Sequence, residues 1–192
     1  MTETDYFLAL QNLLDSSICQ APSVVGGHYE IVEQTQAGFV LHTKGLHSHK
    51  AIRLEKLRGG DWRCFKTPHN YAQKRCDSIL VSWKKTTNGV DEGPIFLLVE
   101  LKSNNAGIAR KQLGASLAFC HFVHRMVCVG LPTLPVARFA AVTVLNMPFS
   151  LKTPSIPTLP DWTPPPLHVD CLHMRYDRSR GALPVAAVVA KI

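Results

Sequence analysis

Five consecutive apolar residues, Ile95, Phe96, Leu97, Leu98 and Val99, constrain this chain more than any other feature. A short run that is apolar at every position suits a strand buried on both faces. Glu100 and Lys102 follow directly. Residues two apart in a strand share a face, so a carboxylate and an ammonium point the same way beside a hydrophobic core. Upstream, Ile79 to Trp83 reads as a second short strand with Asp77 at its start. The polar stretch between them, Lys84 to Pro94, holds Asn88-Gly89, a hairpin turn signal. Closing that hairpin brings Asp77 toward Glu100 and Lys102. Two carboxylates and a lysine on neighbouring strands can hold a hard divalent cation and a water beside it.

At 192 residues the chain is expected to fold as one domain, 1–192, with a sizeable core. Hydrophobic residues at 46% against charged residues at 18% exclude a disordered class and fit a soluble globular one. The formal net charge of +7 favours an anionic partner such as nucleic acid. None of the six cysteines forms a CxxC pair, and Thr2, Glu3, Thr4 and Asp5 make an acidic, polar start that does not read as a signal peptide. Reduced thiols in the cytoplasm are therefore expected. No apolar run reaches membrane-spanning length, so no membrane partner is expected.

The elements follow from periodicity. Tyr6, Phe7, Leu10, Leu13, Leu14 and Ile18 recur at helical spacing behind a capping signal at Thr2 to Asp5. Gly26-Gly27 suggests a turn before Tyr29, Ile31 and Val32, and Ala37 to His42 reads as a strand. His42, His47 and His49 lack a fourth donor at metal-binding spacing and read as a polar loop. Ile52, Leu54 and Leu57 alternate with charged residues, as in a half-buried strand; Gly59-Gly60-Asp61 marks a turn, and Trp62 to Phe65 a return strand. Lys66, Lys74 and Arg75, with Arg58 and Arg63, form a candidate phosphate-contacting surface leading into Asp77.

After Lys102, Ser103-Asn104-Asn105 signals a helix start. Ile108, Ala109, Gln112, Leu113, Ser116, Leu117, Cys120 and Val123 then give one long amphipathic helix over 105–124. Gln112 falls on its sheet-facing side, while Arg110 and Lys111 fall on others and join the phosphate-contacting set. Cys120, His124 and Cys128 stand four apart, but one straight helix cannot turn three such residues onto one ion, so buried thiols are expected. Arg138 to Leu145 reads as a strong strand. The segment 147–166 is proline-rich and suits surface wrapping. Val169 to Met174 and Val185 to Val189 read as closing strands about a basic turn of Arg175, Arg178, Arg180 and Gly181.

Taken in order, Lys74-Arg75-Cys76-Asp77-Ser78-Ile79-Leu80, then Leu98-Val99-Glu100-Leu101-Lys102, then Ala109, Gln112 and Leu113 resemble the PD-(D/E)xK nuclease superfamily. The likeness is to its small prokaryotic members with an Arg-Cys-Asp strand, a Glu-Leu-Lys strand and a Gln-Leu helix. It covers roughly 70–120, and Cys76 stands where many members carry proline.

The resemblance implies an α/β fold, a central mixed β-sheet flanked by helices with a restriction-endonuclease-like core. It implies a metal-dependent phosphodiesterase, endonuclease or exonuclease, with DNA favoured over RNA as substrate and a 5′-phosphate as product. Asp77, Glu100 and the Leu101 backbone carbonyl would ligate Mg²⁺ or Mn²⁺. Lys102 would hold or deprotonate the attacking water, and Gln112 would orient that water or Lys102. An acid from the preceding segment often joins the metal, and Glu3, Asp15, Glu30 and Glu33 all compete for that place. A second copy of the chain or a partner protein would fit the same picture. The alternative is a non-catalytic nucleic-acid-binding or complex-forming module on the same fold.

Overall fold

The computed structural model describes residues 1–21, 24–25, 28–32, 40–44, 50–52, 75–85, 89, 91–102, 106–131, 135–145, 168–177 and 182–192. Expectations for Gly26-Gly27, for 53–74, for Ser103 to Asn105 and for the proline-rich 147–166 lie outside these residues. The strands are β1 (Cys19–Gln20), β2 (Val24–Val25), β3 (His28–Val32), β4 (Val40–Lys44), β5 (Lys50–Ile52), β6 (Ser78–Lys85), β7 (Asp91–Lys102), β8 (Arg138–Leu145), β9 (Cys171–Asp177) and β10 (Leu183–Pro184). The helices are α1 (Glu3–Leu13), α2 (Ala106–Val127) and α3 (Val185–Val189).

Both long apolar runs become adjacent central strands. The main sheet has the order β1-β5-β6-β7-β8-β9. Its pairings are antiparallel as far as β7 and parallel from β7 to β8 and β8 to β9. A parallel pair needs a long crossover, and α2 supplies it between β7 and β8. A smaller sheet has the order β10-β4-β3-β2. The result is an α/β fold built on a mixed six-stranded sheet.

The period-two alternation of β7 divides the interior. Phe96 and Leu98 join Tyr6, Phe7 and Leu10 of α1 and Leu113, Leu117, Cys120 and Val123 of α2. Leu97, Val99 and Leu101 join Val142 and Val144 of β8, Met174 and Tyr176 of β9, and Val185 and Val188 of α3. Both faces of the sheet are thus covered, which is why Ile95 to Val99 of β7 and Phe139 to Val142 of β8 carry no polar side chain. Within α1, Thr2 and Asp5 close a reciprocal capping box. The Tyr6 hydroxyl meets His124 Nδ1 at 3.1 Å and pins α1 to α2.

The hairpin is longer than its apolar residues suggest. Polar Lys84, Lys85, Asp91 and Glu92 also pair, with a register shift between Lys84 and Lys85. Gly89 has φ +76° and Gly93 φ +124°. A Cβ on Gly93 would stand 2.5 Å from the Val136 carbonyl oxygen, so the chain entering β8 requires a glycine there. Pro94 is tolerated because β8 pairs with β7 only from Ile95 onward, leaving no partner there for the missing N–H.

Three expectations are corrected. Val185 to Val189 forms the helix α3, not a closing strand. Five apolar residues read equally well as a buried helical turn, and Ala186-Ala187 favour it. Arg175 is not in a turn either: β9 starts at Cys171 and carries Arg175 inside it. His42, expected at a strand's end, lies within β4, which continues to Lys44.

Candidate active site

The register of the β6–β7 hairpin decides what Asp77 meets. Ser78 pairs with Val99, so the chain enters β6 opposite the end of β7. There the Leu101 N–H donates to Asp77 Oδ2 at 2.6 Å. That bond fastens the Asp77 carboxylate to the residue between Glu100 and Lys102. Glu100 is fully buried and alternates with Leu98 and Phe96, on the α2 side of the sheet. Burying a carboxylate is costly unless its surroundings compensate the charge, so a glutamate ending an apolar strand is not a packing residue. Lys102 is the last residue of β7, its backbone in register with Leu145 of β8.

Helix α2 holds the approach to Asp77. Gln112 is half-buried and its Nε2 donates to the Arg75 carbonyl at 2.8 Å. Its Oε1 is buried and accepts no hydrogen bond. One turn on, the Ser116 hydroxyl accepts from the Cys76 N–H at 2.8 Å. Arg75 and Cys76 are thereby tied to α2 while Asp77 is tied to β7, so the turn into β6 is held from both sides. Burial above all pushes the Cys76 thiol up, and the negative charges of Glu100 and Asp77 add to it. The thiol is buried in the core cluster with Ile79, Leu113 and Leu117 and donates to the Ser78 carbonyl at 3.4 Å.

The structure therefore brings Asp77, the Leu101 backbone, Glu100 and Gln112 to one end of the sheet. Arg110 is half-buried and Lys111 exposed on α2, while Arg75 is half-buried beside Asp77. Arg58, Arg63, Lys66 and Lys74 lie outside the described residues. Of the competing acids, Glu3 meets Lys85 Nζ at 2.7 Å and Asp15 Oδ1 accepts from the Ser17 N–H at 2.7 Å. Both are engaged away from Asp77. Glu30 lies in β3 of the smaller sheet, and Glu33 is outside the described residues.

Residues that sequence reasoning passed over complete the row. Glu100 pairs in register with Thr143 of β8, and Thr143 with Arg175 of β9. Thr143 is buried and its Oγ1 lies 2.9 Å from His173 Nε2. Burial first, then the charges of Arg110 and Arg175, bring His173 down to about 4, so it is neutral at physiological pH. The available signal was a threonine in the otherwise apolar run Phe139 to Val144 and a histidine in a strand that buries both faces.

The donors offered by Asp77, Glu100 and the Leu101 carbonyl are oxygens only, which suits Mg²⁺ or Mn²⁺ with water completing the shell. Among the described residues no three His, Cys, Asp or Glu side chains cluster for a metal. The described cysteines, Cys19, Cys76, Cys120, Cys128 and Cys171, are buried and free. Comparison with protein-family models, with curated proteins and with solved structures finds no match to this chain.

Proposed function

We propose that the chain is a metal-dependent nuclease of the PD-(D/E)xK kind, with a restriction-endonuclease-like core and DNA as the favoured polymer. One observation carries the proposal: Asp77 is bonded to the Leu101 N–H, so its carboxylate is held at the end of β7 beside buried Glu100. Support also comes from the order of elements: a helix before the sheet, a hairpin carrying the two acids, and α2 packed over them. Ligands of open α/β sheets bind beyond the carboxyl ends of the strands, and β7, β8 and β9 all present that end here.

A bound Mg²⁺ or Mn²⁺, held by Asp77, Glu100 and the Leu101 carbonyl, would polarise the scissile phosphate and lower the pKa of a water. The chain's own groups do the rest. Lys102 positions the water, takes its proton or offsets charge gathering on the phosphate. Gln112 uses its Oε1 to orient the water or the Lys102 ammonium. Its Nε2 bond to Arg75 keeps it from swinging away. Arg75, Arg110 and Lys111 offset the charge of the approaching backbone. Among the described residues no helix is long and apolar enough to cross a membrane, and the buried free thiols suit a reducing compartment such as the cytoplasm.

The test is cleavage of supercoiled plasmid, linear DNA and single-stranded RNA with Mg²⁺, Mn²⁺ or EDTA, using wild type, Asp77→Asn and Lys102→Ala. Asparagine still accepts from the Leu101 N–H, so Asp77→Asn removes charge and keeps the local fold. Metal-dependent cutting lost in both variants is the expected result. Cutting that survives both substitutions would sink the assignment of these residues. Salt-sensitive binding with no cutting by wild type would instead favour the non-catalytic module.

A further inference from the structure

The smaller sheet carries a set of residues that the candidate active site leaves unused. In β3, His28 and Glu30 stand two apart and so share one face of the strand. Antiparallel register pairs Glu30 with His42 of β4, and residues paired across a ladder share a face. Backbone register thus sets two histidines and a glutamate on one face of the β3–β4 pair. Strand geometry gives their spacing: about 7 Å along β3 from His28 to Glu30, about 5 Å across to His42, and about 7–8 Å on the diagonal between the histidines. Read along the sequence, His42 groups with His47 and His49; the register gives it Glu30 and His28 instead.

The opposite face of this sheet is the one that meets the core. Thr43 pairs with Leu183 of β10, and Leu183 is fully buried in the cluster with Val185 and Val188. His42 alternates with Thr43 in β4, so it belongs to the other face. Among the described residues of β2, β3, β4 and β10, Glu30 is the only carboxylate and Lys44 the only lysine or arginine. Lys44 stands two residues on from His42 and shares its face.

We propose that His28, Glu30 and His42 form a binding site for a divalent transition metal ion, Zn²⁺ before others, with water completing the coordination. Two imidazoles and one carboxylate are a donor set that zinc accepts, with its fourth position left to water. The imidazoles separate this site from the oxygen-only set of Asp77, Glu100 and the Leu101 carbonyl, which suits a harder ion. Among ions that imidazole suits, the general order of affinity puts Zn²⁺ above Fe²⁺. Lys44 adds like charge on the same face and, while protonated, is no ligand. The ion would tie β3 to β4, and because the folded pair assembles its ligands, binding adds to stability. Nothing in this site depends on the nuclease reading.

The experiment is calorimetric titration of the full metal-free chain with zinc chloride, and with magnesium chloride for comparison. The proteins are wild type, His28→Ala, His42→Ala, Glu30→Gln, Lys44→Gln and, as controls, His168→Ala and Asp77→Asn. His168 is the surface control because His121 and His168 both contact Asp170, a place where stray zinc could settle. Wild type should bind one zinc per chain and no magnesium at this site. Each histidine variant should weaken zinc binding about a hundredfold or more, while both controls keep it. Glu30→Gln conserves size and should also weaken it, which reads the site even where a histidine variant fails to fold. Lys44→Gln should tighten it, because a like charge is removed. Titration with Co²⁺ adds a second readout: the visible absorption of the bound ion should vanish in His42→Ala. No zinc bound by wild type, or wild-type affinity in His28→Ala, His42→Ala and Glu30→Gln together, would overturn the site. Loss of zinc in His168→Ala or in Asp77→Asn would also overturn it, by placing the ion elsewhere. Zinc bound as expected by a chain that cuts no nucleic acid would uphold this site and defeat the nuclease reading alone.

Discussion

Lowering the pH from about 7 to about 5 is expected to cost this protein about 2 kcal/mol through His173 alone. In the folded chain burial, then Arg110 and Arg175, bring this histidine down to about 4 from an ordinary 6.5. That difference is worth about 3 kcal/mol in total, at about 1.4 kcal/mol for each tenfold change in proton affinity. The sign follows from which state takes the proton first. The unfolded chain protonates as pH falls through 6.5, whereas the folded chain does not until about 4. Above about pH 7 neither state is charged and the term vanishes. Below 6.5 the proton favours unfolding, and the loss is complete only under about pH 4. Urea denaturation of wild type and His173→Gln at both pH values isolates the term, since glutamine does not titrate. Burial also lowers His124, which acts in the same direction, but it is present in both proteins and cancels. The variant should lose about 2 kcal/mol less than wild type between the two conditions. Equal losses would refute the claim that His173 is buried neutral between two cations.

Two further outcomes test the scaffold around the site. Gly93→Ala should destabilise the fold by more than about 2 kcal/mol, from a positive φ and a Cβ 2.5 Å from the Val136 carbonyl oxygen; thermal denaturation checks this, and a near-neutral change would mean the entry to β8 can yield. Ser116→Ala leaves the Cys76 N–H buried without its acceptor and should cost about 1–3 kcal/mol in denaturant titration, together with slower cleavage as the turn carrying Asp77 loosens; unchanged stability would show another acceptor taking over.

Local periodicity made much of the scaffold legible. The strand expected over Arg138 to Leu145 is found with those bounds, and the helix expected over 105–124 runs Ala106–Val127. The apolar runs around Leu80 and Leu97 became β6 and β7, because a continuous apolar stretch has one stable place, inside a covered sheet. Strand ends were less legible. Lys84, Lys85 and Asp91 have no apolar reason to be extended; their backbones pair because the hairpin does. The error at Val185 to Val189 has a related cause: five apolar residues look alike as strand or helix until something packs on them.

The candidate site divides along the same line. Local residue order is enough to put a carboxylate and a lysine at the end of a buried strand, a second acid at the start of its hairpin partner, and a glutamine on the next helix. Nearest-neighbour spacing carries all of that, since side-chain direction repeats every two residues in a strand and every three or four in a helix. The bond from Leu101 to Asp77, the hold of Gln112 on Arg75, and the row of Glu100, Thr143 and Arg175 with His173 beside it come from long-range packing. Those residues are separated by a crossover helix and by 147–166, and no local period links them. Their meeting depends on parallel register, which is set when two long strands bury their faces against α1, α2 and α3 together.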